Sequence, residues 1–201
     1  MNTARDLAIV ALDASPDRPL EQGDLSLALA GAELLDLADA GALSLDGDRI
    51  VPGTAALTGD RLLDEAAGGV VREEPYESVE DWLWRRGREL AAAYTADLER
   101  AGLAARPRGR RVPLRSVPAE LVDSPERGRA RERLDSGEPV FTALAAAAGV
   151  REESAEDTDE VTGDTVTSVL ASVGNAVMEL EAVRQRRAIE NAAFDNVWRG
   201  W

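Results

Sequence analysis

Thr58-Gly59-Asp60-Arg61-Leu62-Leu63-Asp64-Glu65-Ala66 and, after an eleven-residue spacer, Ser78-Val79-Glu80-Asp81-Trp82-Leu83 mark two helix starts in close succession. Thr58 or Asp60 supplies a side-chain acceptor for first-turn amides that have no partner within the helix, and Asp60, Asp64 and Glu65 sit where the positive end of the helix dipole favours anions. Leu62, Leu63 and Ala66 then face inward at helical spacing. Ser78 with Asp81 three residues on resembles a capping box, and Val79, Trp82 and Leu83 form the buried stripe of the helix that follows. Trp82 is read as core, and the whole stretch as capping and packing, not as a ligand site.

Working outward, Leu25, Leu29, Ala32, Leu35 and Asp39 trace one helical stripe, with Asp24 as a candidate N-cap and Gly41 as a left-handed stop. Ala42 to Leu45, Asp46-Gly47 and Asp48 to Val51 read as a hairpin, because Asp-Gly suits a type I′ turn, and Pro52 closes it. A helix carrying Leu90, Tyr94 and Leu98 runs to Gly102, and Leu103 to Leu114, broken by Pro107 and Gly109, reads as a second hairpin. Ser124-Pro125-Glu126 opens a helix that ends at Gly137, with Leu134 in its core, and a short alanine-rich helix spans Pro139 to Gly149. Residues 151–164 are acidic enough for a flexible loop. Val166 to Val173 and Val177 to Trp198 read as two further helices, while Leu7 to Leu12 could be a strand or a helix end. The expectation is a mainly α, single globular domain over residues 1–201, with two short peripheral β-hairpins.

Composition narrows the function classes. The 201 residues suit one domain, and with 44% hydrophobic but only 4% aromatic residues the core must be built from Leu, Val and Ala. There is no cysteine, histidine or lysine. That removes disulfides, thiol nucleophiles, Ser-His-Asp triads and ordinary zinc sites, and no carboxylate pair stands out among the 38 acids, so neither an enzyme nor a cofactor is expected. No run approaches the roughly 18 uninterrupted apolar residues of a membrane span, and the N-terminus lacks a signal-peptide pattern, so a cytoplasmic, soluble protein is expected.

The net charge of −15 opposes anionic membranes and nucleic acid alike, but its distribution is uneven. Nine arginines against four acids lie between Arg106 and Arg133, and seven acids without a base lie between Glu152 and Asp164. Charge runs are usually solvated faces, and these two could pair with each other. The two helix-hairpin units also look like the final helix and wing of a winged-helix DNA-binding domain, a reading that the acidic total disfavours.

The TGD-x-LLDEA string, the later SVEDWL, the preceding LALAGAELLDLADAGALSLDG and the following LERAGL with its basic hairpin together resemble the Golgi phosphoprotein family over roughly residues 7–150. The all-arginine base usage fits a prokaryotic member from a GC-rich genome. The resemblance implies a peripheral-membrane adaptor that binds phosphatidylinositol 4-phosphate through an indole and several basic side chains around a shallow pocket. Those ligand positions do not carry over. The family Leu-Arg-Gly step is here Leu29-Ala30-Gly31, the region from Ala14 to Asp24 has no aromatic, and the basic group ahead of the alanine-rich helix is replaced by Glu138-Pro139-Val140. The remaining candidates for anionic phospholipid headgroups are Arg18, near the lost tryptophan, and Arg108, Arg110 and Arg111 in the basic hairpin. A protein partner or self-association is the alternative, with Phe194, Val197, Trp198 and Trp201 as interface anchors.

Overall fold

The computed structural model describes residues 2–14, 20–54, 57–106, 119–152 and 163–199, with side chains described as far as Asn191. Its architecture follows from one helix that has almost no solvent face. Helix α2 (Gln22–Asp39) buries every residue from Leu25 to Leu37, including Ser26, Glu33 and Asp36. Helices α1 (Thr3–Asp13), α3 (Arg61–Gly68), α4 (Val79–Arg86), α5 (Leu90–Arg100), α7 (Pro139–Ala147) and α8 (Asp164–Arg199) all contact it, and α6 (Pro125–Asp135) rests on α1. The single helical domain expected from the sequence is what forms.

A helix buried all round must satisfy its own polar side chains, and α2 does so by capping its neighbours. Asp36 accepts hydrogen bonds from the amides of Thr3 and Ala4, both at 3.0 Å, at the start of α1. Ser26 Oγ accepts one from Ala91 at the start of α5, at 3.1 Å. Each bond supplies a partner for a first-turn amide that the helix itself leaves unpaired. The opening segment is therefore helix and not strand. Asn2 caps it through the Arg5 amide, and burial of Leu7, Ala8, Ile9, Val10 and Ala11 on nearly every side erased the periodicity that would have identified it.

The first hairpin pairs β1 (Leu43–Asp46) with β2 (Arg49–Pro52), Asp46 opposite Arg49. The central residues are thus Gly47 and Asp48, and only Gly47 has positive φ, at 61°. That is the type II′ pattern, not the type I′ turn expected on Asp46-Gly47. The hairpin is also not merely peripheral. Ile50 donates to the carbonyl of Glu77 and Val79 to that of Asp48, both at 2.9 Å, so the approach to α4 docks along β2.

The second hairpin pairs β3 (Ala104–Ala105) with β4 (Glu120–Leu121), later than the expected return by Leu114. Ala104 is buried and Leu121 packs against the core, so this register places the apolar side chains inward. Leu134 is only partly buried. The two C-terminal helices foreseen from the sequence are one 36-residue helix, α8, because Val173 and Ala176 are anchored on either side of Gly174. Within Asp164–Asn191 of α8, one 18-residue window reaches a mean hydropathy of 1.3, which by length and composition alone would suit a membrane span. Val169, Val173 and Ala176 are nevertheless buried in the domain core.

Two glycines let α8 lie close on α2. A Cβ at Gly31 would collide with Val173 Cγ2, and one at Gly23 with Leu180 Cδ2. Gly31→Val should therefore cost about 1–3 kcal/mol through overpacking. It should also make the α8 segment the first to be cut in limited proteolysis. Native stability and native protease resistance in this variant would show that α8 is not seated on Gly31.

Candidate functional site

The TGD motif builds one wall of a cleft of about 460 Å³, lined by Asn2, Arg5, Asp36, Asp39, Ala40, Thr58, Gly59, Asp60 and Leu63. Gly59 has φ of +79°, which turns the chain so that Asp60 caps α3. Asp60 Oδ1 accepts from the amides of Leu62 at 2.9 Å and Leu63 at 3.2 Å, while Oδ2 meets Arg5 Nη1 at 3.3 Å. Thr58 closes the turn by donating to Asp64 from its amide at 2.7 Å and from its hydroxyl at 2.8 Å. The motif is a capped helix entry tied to α1, as its residue types implied.

The cleft's chemistry follows from that wiring. Asp36 is used by α1, and Asp60 by α3 and Arg5, so these three charged groups of the lining already have partners. Among the described residues of the lining, Arg5 is the only cation against Asp36, Asp39 and Asp60. A phosphate headgroup would meet net negative charge there. Among the described residues no cluster of His, Cys, Asp and Glu suited to a metal ion forms.

Two of the positions that the resemblance marks, 30 and the stretch ahead of α7, lie among the described residues. Ala30 is completely buried, and its carbonyl accepts the Trp82 indole N–H at 3.1 Å. Gly31 lies under α8. Glu138 accepts from Arg133, which also reaches Asp6 and stacks over the Phe141 ring at 4.5 Å. Position 30 is interior, and position 138 is an anion engaged within the fold. Arg18, Arg108, Arg110 and Arg111 lie outside the described residues, as does the greater part of the acidic loop, from 153 to 162.

The described arginines of the basic segment are tied down locally. Arg106 pairs with Glu99, Arg127 and Arg131 share Asp13 on α1, and Arg129 pairs with Glu126. Among the described residues, this pairing is with α1, α5 and α6 itself. On α5, Asp97 likewise holds Arg61 and Arg100.

Beside Ala30 lies a polar network that the sequence reading missed. Glu33, fully buried on α2, receives Arg86 Nε at 2.7 Å and Nη2 at 2.9 Å, and the Tyr94 hydroxyl at 3.1 Å. Arg86 also reaches Glu65 at 2.9 Å and the Leu62 carbonyl at 3.1 Å. Burial pushes the Glu33 carboxyl above its ordinary 4.5, with Arg86 and Tyr94 pulling the other way. Burial opposes the Arg86 charge too, but Glu33 and Glu65 outweigh it and raise its pKa. Tyr94 is raised, first by burial and then by the Glu33 charge. A Glu at the fourth turn of an otherwise apolar helix was the available signal, since such a residue is almost never fully buried unless paired.

Removing one partner of a buried pair strands the other, so Glu33→Ala should lower unfolding free energy by about 3–5 kcal/mol. The raised carboxyl pKa adds a pH dependence. Glu33 contributes stability that is fully present below 4.5 and is lost as pH rises through its higher folded value. In thermal melts the deficit of Glu33→Gln relative to the native chain should accordingly be largest near pH 4 and shrink towards pH 7. A deficit that widens with pH would mean that Arg86 and Tyr94, not burial, set the carboxyl's pKa.

A comparison with curated proteins finds no match. The family comparison matches residues 4–191, which take in α1, the TGD turn, both hairpins and α8 as far as the end of its described side chains. The chain therefore belongs to the Golgi phosphoprotein 3 (GPP34) family.

Proposed function

We propose that this protein is a peripheral-membrane adaptor of the Golgi phosphoprotein type that keeps the family fold without a specific site for phosphatidylinositol 4-phosphate. The observation that carries this reading is the burial of Ala30 at the position of the family arginine. An exposed phosphomonoester requires charge-assisted, preferably bidentate donors. Here position 30 offers a methyl group inside the core, and position 138 offers a carboxylate already bound to Arg133. Each lost contact of this kind is worth roughly 1.5–3 kcal/mol, so losing two or three weakens binding by several powers of ten.

What remains for an anionic bilayer is the stretch of sequence that carries Arg108, Arg110 and Arg111, beside Arg106, Pro107 and Gly109. Three arginines fall within four residues there, with no acid among them. Attachment at the cytoplasmic face of a membrane is then electrostatic, indifferent to headgroup identity and sensitive to ionic strength. Winged-helix DNA recognition has less support, because Arg61, Arg100 and Arg106 around α5 are spent on carboxylates of that helix.

Liposome flotation tests the reading. Vesicles with phosphatidylinositol 4-phosphate should bind no better than vesicles of equal charge built from phosphatidylserine, and binding to both should fall steeply with salt. Charge reversal at Arg108, Arg110 and Arg111 should abolish it with the melting temperature nearly unchanged. Salt-resistant, headgroup-specific flotation would overturn the lost-pocket argument. Unaltered binding by the charge-reversed variant would remove the hairpin as the contact.

A further inference from the structure

Helix α8 spans 36 residues, roughly 54 Å at 1.5 Å per residue, and among its described side chains the docked ones reach no further than Arg184. Val169, Val173 and Ala176 are buried, Val166, Leu170, Val177 and Leu180 pack beside them, and Arg184 makes the last tie, to Asp24 and Glu21 at the start of α2. From Gln185 to Asn191 every residue is exposed.

The side of α8 turned away from the domain has an unusual composition. Ala171, Asn175, Met178, Ala182, Gln185 and Ile189 are all exposed and follow one another at alternating spacings of four and three. The sequence continues this spacing to Ala192 and Asn196. No charge falls on the line, although 30% of the chain is charged. Met178 and Ile189 are 64% and 70% exposed, two of the few large apolar side chains left open to solvent among the described residues.

Alternating three-four spacing is the seam of a coiled coil, and a solvent-facing helix line has no reason to exclude charge unless something covers it. In heptad terms Asn175, Ala182 and Ile189 occupy the a positions, while Ala171, Met178 and Gln185 occupy d. A β-branched residue at a favours two strands, and an Asn at a fixes register by meeting its own copy. The charges flanking the seam complement each other under the same symmetry. Glu181 precedes one a position and Arg186 follows one d position five residues later, the spacing at which residues on two parallel strands face each other. Arg186 makes no ion pair among the described residues, and Glu181 is exposed, its carboxylate meeting Arg184 at 2.9 Å and Gln185 at 3.0 Å within the same helix.

We propose that this face of α8 binds a second copy of the chain, forming a parallel, in-register two-stranded coiled coil. Asn175, Met178, Ala182 and Ile189 meet their counterparts across the seam, and Glu181 of each copy faces Arg186 of the other. The two domain bodies lie on opposite outer sides of the pair, because the docked residues of α8 are on the side away from the seam. With Ala and Gln in the seam the association is modest, and it is independent of any lipid contact.

Sedimentation equilibrium of the full chain over the micromolar range tests this. The mass should rise from 21.5 kDa towards twice that value with concentration. Met178→Glu and Ile189→Glu, both at exposed positions, should each weaken association at least tenfold while leaving the circular dichroism spectrum native. Glu181→Arg should weaken it as well, and adding Arg186→Glu should restore it. Since the chain has no cysteine, Asn175→Cys provides a unique thiol that should oxidise to a covalent dimer. A monomer at all concentrations overturns the proposal, and so does a dimer indifferent to both Glu substitutions. A Glu-sensitive dimer without the Asn175→Cys cross-link overturns the parallel arrangement. Native-chain flotation with neutral phosphatidylcholine vesicles, lost in Ile189→Glu, would assign the face to lipid instead.

Discussion

A carboxylate in the middle of the most buried helix dictates the register of its neighbours. Glu33 cannot reach water, and isolated buried charge is prohibitively costly, so Arg86 and Tyr94 must be placed where their donors meet it. That fixes α4 and α5 against α2, and the remaining Arg86 bonds to Glu65 and the Leu62 carbonyl fix α3 as well. Trp82 lies one turn before Arg86 on α4, and Ala30 one turn before Glu33 on α2. The indole-to-carbonyl bond between them is a second rung of the same seam. Two directional contacts one turn apart leave little freedom to slide, which apolar packing alone would permit.

The same seam underlies the proposal that the family pocket is lost. A side chain at position 30 can carry charge only if α2 keeps a wet edge there. Here α2 has none, because α4 closes on Ala30 through Trp82 and α8 descends on the adjacent Gly31. Position 138 has been drawn into a different structural task, joining α6 to α7 through Arg133. Loss of ligand groups and gain of packing are two descriptions of one rearrangement. If the proposed two-stranded assembly forms through the outer face of α8, it would present two copies of any weak contact and gain by multivalency.

Most of the fold was legible because its signals are local. Asp60 and Ser78 are caps, Trp82 is core, and Gly41, Gly102 and Gly149 end helices with positive φ, all as their neighbours in sequence imply. The misreadings share a different cause. The apolar run of α1, buried on nearly every side, loses its period, Gly174 is carried through α8 by tertiary anchors, and the return strand of the second hairpin is chosen by the burial of Ala104. The Glu33 network joins residues up to 61 positions apart, which no local pattern reports. For the site, sequence alone located the absent arginine at position 30. Only the fold supplies the reason its absence is not a vacancy.

Putting the arginine back tests this most directly. Ala30→Arg restores the family step Leu-Arg-Gly, and thermal unfolding followed by flotation on vesicles containing phosphatidylinositol 4-phosphate reads the consequence. The account predicts a markedly lower melting temperature and no headgroup-specific binding, because position 30 is interior and shares its peptide with the Trp82 bond. A variant of native stability that gained salt-resistant binding to that lipid would contradict it, showing that the pocket is intact and wanted only its charge.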